Sequence, residues 1–218
     1  MAPFTVAVAS PKAGTGKTTS AVFLAEALSA RGSDVLLVDA DRGDSALRWS
    51  DLAGGLGWPV VAMQVSQLHR KLPDVVGGRD AVVIDVPQLE DHKSIAKGAL
   101  RSADLWLIPV APAGVEVDRM LAPEVVDLLA EVQSDRDADG LAPAVVVAVL
   151  TRTNRARPTS TGPDADVRTV LADLGWTVAR SQIPHGDERY RQPFGCVIES
   201  DEHYDALLSE LLQMKEDA

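Results

Sequence analysis

The stretch Pro11-Lys12-Ala13-Gly14-Thr15-Gly16-Lys17-Thr18-Thr19 has residue types and spacing that suit one chemistry, the holding of a polyphosphate together with magnesium. Small residues let successive backbone N–H groups converge on phosphate oxygens, and a helix opening at the end of such a loop adds the partial positive charge of its N-terminus. Lys17 is then placed to reach the β- and γ-phosphates of ATP, and the Thr18 hydroxyl to ligate Mg2+. Pro11 stands where the strict phosphate-loop pattern has its first glycine. The context still agrees, because an apolar strand (Thr5–Ala9) precedes the loop and a helical pattern follows it.

Two further groups of carboxylates belong to the same chemistry. Val35-Leu36-Leu37-Val38-Asp39-Ala40-Asp41 is an apolar run closed by aspartates at i and i+2, a spacing that puts both on one side of an extended chain. At the carboxyl end of a strand beside a phosphate loop, they are suited to holding magnesium-bound water and orienting an attacking water. Ala81-Val82-Val83-Ile84-Asp85 is a second apolar run ending in a carboxylate, the Walker B form that binds magnesium through water.

The elements that must position these residues follow from periodicity. Strands are predicted at Thr5–Ala9, Val35–Asp39, Val60–Val65, Ala81–Val86, Leu105–Val110, Ala144–Leu150 and Thr177–Ile183. Most are continuous apolar runs, as in parallel strands covered on both faces. Helical stripes occur in Thr18–Ala30 (Ala21, Leu24, Ala25, Leu28), in Pro123–Val132 (Val125, Leu128, Leu129, Val132) and in the C-terminal stretch (Leu207, Leu208, Leu211, Leu212). Ser134–Gly140 and Thr153–Pro163 read as polar loops. This alternation implies one α/β domain over residues 1–218, a single-domain P-loop NTPase with a mostly parallel, twisted sheet and helices on both faces. Ligands of such sheets bind beyond the carboxyl ends of the strands.

Bulk properties narrow the partners. The formal charge of −11 argues against DNA as a global partner, leaving a local basic patch as the way to reach it. The best such patch is Arg152, Arg155 and Arg157, read either as a solvated loop or as a surface that contacts phosphates. No apolar run is long enough to span a bilayer, and no secretory leader is recognisable, so a cytoplasmic location is expected. The one cysteine, Cys196, excludes an internal disulfide and reads more readily as a small packing residue than as a reactive thiol.

With these motifs assembled, the chain resembles the ParA/MinD family of ATPases. Their deviant Walker A motif, K-G-G-x-G-K-T-T, is written here as Lys12-Ala13-Gly14-Thr15-Gly16-Lys17-Thr18-Thr19. The resemblance implies that Lys12 reaches across a dimer to the partner's nucleotide. Ala13 replaces the usual glycine, which requires φ below zero at that position. Asp39-Ala40-Asp41 looks like the family's D-x-D-P-Q, which implies a role in hydrolysis for Asp41 and support of the metal site for Asp39. Arg42-Gly43 stands in place of Pro-Gln, while Ser45 and Trp49 match the family form. Asp85-Val86-Pro87 is similar to I-D-x-P, and Ala103–Val110 followed by Pro112 to a further family strand. Thr151-Arg152 and Pro184-His185 correspond to the strand ends that line the adenine. A plain loop histidine is an equal reading of His185, and Gly186 replaces the family's arginine.

The resemblance spans roughly residues 4–195 and fits the short ParA-type partition ATPases best. It implies an ATP-dependent homodimer that binds nonspecific DNA, hydrolyses ATP weakly to ADP, and is stimulated by a ParB-like, centromere-binding partner. It also implies association with the nucleoid when ATP is bound and no N-terminal helix-turn-helix. Three alternatives stay open. A ParA-like protein that positions another cargo has the same sequence features. A MinD-like membrane ATPase needs a basic amphipathic C-terminus, whereas Gln213–Ala218 is acidic, so no membrane partner is expected. A dethiobiotin-synthetase-type ligase shares the fold but lacks the early lysine.

Overall fold

The structure, a computed structural model, describes residues 3–217. Seven strands form one sheet in the order β3-β2-β4-β1-β5-β6-β7. They are β1 (Phe4–Val8), β2 (Val35–Asp39), β3 (Val60–Ala62), β4 (Ala81–Asp85), β5 (Leu105–Val110), β6 (Val145–Thr153) and β7 (Thr177–Pro184). Every pairing is parallel. The predicted strands therefore join into the expected architecture.

Alternate residues of each strand feed two apolar layers, as the period of two requires. Ala7, Leu36, Val38, Val82 and Ile84 face one layer, built with α3 (Leu68–Val76), α4 (Lys93–Arg101), α5 (Gly114–Met120), α6 (Pro123–Ala138) and α7 (Pro163–Asp173). Val6, Val8, Val35, Leu37 and Val83 face the other, built with α1 (Lys17–Ala30), α2 (Ser45–Ala53) and α8 (Glu202–Glu216). Burial on both faces is why these strands read as unbroken apolar runs.

Several expectations are corrected. The strand expected at Val60–Val65 stops at Ala62, since β3 is an edge strand and its neighbour β2 ends at Asp39, whose carbonyl accepts from Met63 N. Ser134–Gly140 is not a loop, because α6 runs on through Ala138. Its polar end is anchored by Arg136, which is 2% exposed and donates to the carbonyls of Ala142 and Arg101. A buried guanidinium satisfied by carbonyls behaves as a core residue, which a reading of polarity misses. Cys196 is exposed, not a packing residue. Helices α2, α3, α4, α5 and α7 lie outside the predicted elements, as their apolar faces are short.

The positioning of the site follows from register. Asp85 at the end of β4 lies beside Val8 of β1 and Asp39 of β2. The chain leaves β1 into the phosphate loop at this level, and the acidic strand ends arrive beside it.

Candidate nucleotide-binding site

The phosphate loop leads into α1 through Gly16, its N-cap, which has φ +97°, and Gly14 has φ +81°. Only glycine adopts such conformations without cost, so these two positions set the curl of the loop. Among the described residues the only non-glycines at positive φ are Asp44 and Arg152, so Ala13 meets the condition its methyl group imposes. The loop is braced from within. Thr15 Oγ1 donates to Ser10 Oγ over 2.8 Å, and Ser10 Oγ donates to Lys12 O over 2.7 Å. From outside, Thr151 Oγ1 donates to Thr15 O over 3.3 Å, tying β6 to the loop.

Lys17 is 6% exposed, with Nζ 3.4 Å from Lys12 O. Burial lowers its pKa, and the nearby carboxylates of Asp85 and Asp41 oppose that shift. An ammonium held in a dry loop beside anionic groups is poised for a polyanion. Thr18 Oγ1 donates to Asp85 Oδ2 over 2.7 Å. Burial pushes the pKa of Asp85 up to about 7, offset in part by that hydrogen bond. Its other oxygen, Oδ1, is buried and has no hydrogen-bond partner. A hydroxyl and a half-unpartnered carboxylate are hard oxygen donors, and they fit magnesium held with waters and phosphate. No cluster of three or more His, Cys, Asp or Glu able to hold a metal occurs among the described residues, so the protein alone offers no closed metal cage.

Asp39 is fully buried and its carboxylate is engaged by the main chain. Oδ1 accepts from Asp41 N at 3.1 Å, and Oδ2 accepts from Ala46 N at 2.9 Å and Leu47 N at 3.0 Å. Burial raises its pKa, and these amides oppose the rise. Asp39 thus satisfies the first amides of α2 from a distance, although Asp44 is the residue in the cap position. Through these amides Asp39 braces the turn that carries Asp41. Asp41 is only partly buried, and its Oδ1 accepts from Gly43 N over 3.1 Å, which fixes the turn at the Arg42-Gly43 departure.

Lys12 stands at the entrance with its side chain 44% exposed, 3.6 Å from Glu90 Oε2. Arg155 and Arg157 are exposed in the loop after β6, and Arg152 is exposed at the strand end. That loop runs from residue 154 to 162 only, since Thr153 closes β6 and Pro163 opens α7. Arg152 occupies a register shift between β6 and β7 with φ +56°, a strained setting for a residue with a Cβ.

The predicted base-lining residues do converge. Thr151, Arg152, Pro184 and His185 line one cleft together with Thr15, Gly16 and Thr19 of the phosphate loop and its helix. Gly186, noted for the family arginine it replaces, lies there too, and sequence reasoning missed Ser20, Tyr190 and Tyr204. No motif marks the tyrosines. They arrive from a short π-helical turn (Asp187–Arg191) and from α8, more than 150 residues from the loop they face.

A phosphate loop at the sheet's topological switch, a threonine-aspartate pair beneath it and a cleft beside it together define a P-loop nucleotide-binding domain. The comparisons with known proteins agree. A family profile described as "CobQ/CobB/MinD/ParA nucleotide binding domain" matches residues 6–193, and the chain belongs to that family. It is 39% identical over 116 residues to maintenance of carboxysome distribution protein A of Gloeobacter kilaueensis, covering 53% of this chain and 52% of that one. It is 31% identical over 150 residues to protein ParA of Rhizobium radiobacter, covering 66% of this chain and 64% of that one. The matches thus span about half to two thirds of these relatives. In fold it is similar to cobyrinic acid a,c-diamide synthase from Mycobacterium smegmatis with bound ADP and magnesium. That similarity has a TM-score of 0.72 at 19% identity, covering 99% of this chain and 96% of that one. Among the described residues no helix is long and apolar enough to cross a membrane.

Proposed function

We propose that this chain is a magnesium-dependent ATPase of the ParA type that positions a cargo, forming a dimer when ATP is bound and releasing it on hydrolysis. One observation carries the reading. A buried lysine and the Thr18–Asp85 pair lie under a glycine-curled loop, and a second lysine, Lys12, stands exposed at its mouth. Two lysines on one triphosphate site have a use if one serves the partner's nucleotide. A cation so placed stabilises charge on the transferred group, and arginine fingers that do this are worth about 10³–10⁵ in rate. Lys17 and the loop amides hold the phosphates. Thr18 and Asp85 hold the metal, which neutralises phosphate charge when bound. Asp41, on a turn braced by Asp39, orients the attacking water.

The cargo is where the sequence expectation was too narrow. A plasmid or chromosome with a centromere-binding partner is one member of the class, and the ParA match at 31% identity keeps it there. The match at 39% identity is to a protein named for distributing carboxysomes, which favours a general positioning ATPase over DNA partition. Nonspecific DNA, contacted through Arg152, Arg155 and Arg157, serves as the track, and a cargo-bound adaptor, ParB-like or otherwise, is the activator.

Light scattering of the purified protein with ADP, with ATP and with a nonhydrolysable ATP analogue tests this. A doubling of mass with the analogue, not with ADP, and binding of plasmid DNA only by the heavier species are expected. A protein that binds ATP yet stays monomeric overturns the dimer reading. Turnover that depends on an added small acid or amine supports the ligase alternative instead.

A further inference from the structure

We infer that Tyr190 is a nucleobase-contacting residue of the cleft, its ring forming the wall against which the base packs. The inference rests on the nucleotide reading above and adds a residue that no motif of the chain supplies.

The ring is held from three sides. It stands edge-on to Phe23, with centroids 5.4 Å apart at 71°, and edge-on to Tyr204, with centroids 5.9 Å apart at 75°. Its hydroxyl donates to the two carboxylate oxygens of Asp201 at 3.2 and 3.3 Å. Asp201 is 4% exposed and also takes Arg189 Nε at 2.7 Å and the amides of His203 and Tyr204 at the start of α8. The hydroxyl is therefore committed to Asp201, and Tyr190, 9% exposed, is among the residues that line the cleft.

The other tyrosine of the cleft has a different task. Tyr204 is 1% exposed and its hydroxyl is bonded to Ser20 Oγ at 3.0 Å, which makes it a support behind the wall. The strand ends share the lining, with Thr151 and Arg152 from β6, Ile183 and Pro184 from β7, and Gly186 from the turn that follows, next to the ring. Gly186 explains the ring's position. A Cβ placed there would sit 3.4 Å from Tyr190 Cδ2, so the ring fills the volume into which a side chain at 186 would extend. A rigid aromatic ring with Ile183 and Pro184 beside it suits a flat heteroaromatic base, whose π-face stacks on tyrosine irrespective of hydrogen bonding.

The test separates the base from the phosphates. Calorimetric affinities for magnesium-ADP and for magnesium-tripolyphosphate are measured on the wild type, Tyr190→Phe and Tyr190→Leu, with thermal melts to verify folding. Phenylalanine keeps the ring and leaves both affinities within about twofold. Leucine keeps an apolar filling, weakens ADP by about tenfold or more, and leaves tripolyphosphate unchanged, in line with the usual loss of base–aromatic stacking. Equal losses for both ligands with leucine reduce Tyr190 to a structural residue and overturn the proposal, as does no loss for either. A wild type that binds neither ligand overturns the nucleotide reading and this inference with it.

Discussion

The Thr18 hydroxyl donates to the carboxylate of Asp85 over 2.7 Å, across 67 residues of chain. The two residues expected to share a magnesium ion thus hold each other, and Asp85 is a buried carboxyl whose pKa has risen to about 7 from an ordinary 3.8.

That rise makes stability depend on pH. Between about pH 4 and pH 7 the folded chain keeps a proton that the unfolded chain gives up, so this group favours folding most below pH 4. The contribution is lost as pH climbs through 7. Asp39, raised by burial as well, acts in the same direction. The full span for Asp85 is on the order of 4 kcal/mol. Denaturant titrations in EDTA at pH 5.5 and pH 8 are expected to show Asp85→Asn gaining on the wild type at the higher pH. A constant difference between the two proteins would remove the titration from Asp85.

Lys17→Ala is expected to abolish nucleotide binding, because no other buried cation lies in the loop. The variant should fold, since the ammonium's hydrogen bond to Lys12 O is long, at 3.4 Å. Calorimetry with magnesium-ADP checks it, and retained affinity would refute the loop assignment.

Much of this site was legible before the structure because its chemistry lies in contiguous runs. Residues 11–19, the Asp39–Asp41 turn and Asp85 each sit in or beside one buried strand, where an apolar run ending in a charge, common by itself, gains meaning beside a phosphate loop. The fold followed from the same runs. What was hidden depends on distant parts of the chain meeting. Tyr190 and Tyr204 carry no pattern, and their place in the cleft is decided by Asp201 capping α8, an arrangement set by tertiary packing. The surroundings of Asp39 were half visible. Its position could be read, but that its oxygens would go to the amides of Asp41, Ala46 and Leu47 depends on where α2 starts.

Replacing Asp41 by Ala is expected to trap an ATP-bound dimer with turnover reduced by roughly a hundredfold, the usual scale for a positioned proton acceptor or water-orienting group. The side chain bonds Gly43 N within its own turn, and Gln64 Nε2 reaches the Asp41 carbonyl, which the substitution keeps. Folding should therefore survive. Phosphate release and light scattering measured together decide the matter, and unchanged turnover would move the water-orienting role elsewhere.

Neutralising Arg155 and Arg157 should weaken plasmid binding and flatten its dependence on salt. Every phosphate that the protein no longer neutralises takes about one unit off the slope of log affinity against log salt. Both arginines are exposed and outside the buried Lys17–Asp85 cluster, so magnesium-ADP affinity should hold. An unaltered slope would place the DNA surface on other residues.

The ion pair between Lys12 and Glu90 sets the final expectation. In the single chain Lys12 lies 3.6 Å from Glu90 Oε2, with side chains 44% and 29% exposed. Glu90 follows Asp85 closely in the chain, and its amide bonds Pro11 O at 3.4 Å, so the pair joins the Walker B loop to the phosphate loop. If Lys12 serves a partner's nucleotide, this pair must break as the dimer forms. Exposed pairs contribute about 1 kcal/mol at most and two break per dimer, so Glu90→Gln should ease ATP-driven dimerisation by up to about thirtyfold. The gain should shrink as salt screens the pair in the wild type. Lys12→Ala should instead keep magnesium-ADP affinity in the monomer and lose the dimer. Scattering with the nonhydrolysable analogue reads all three proteins. A Lys12→Ala protein that dimerises like the wild type would leave the second lysine with no work across the interface, and Glu90 with nothing to restrain.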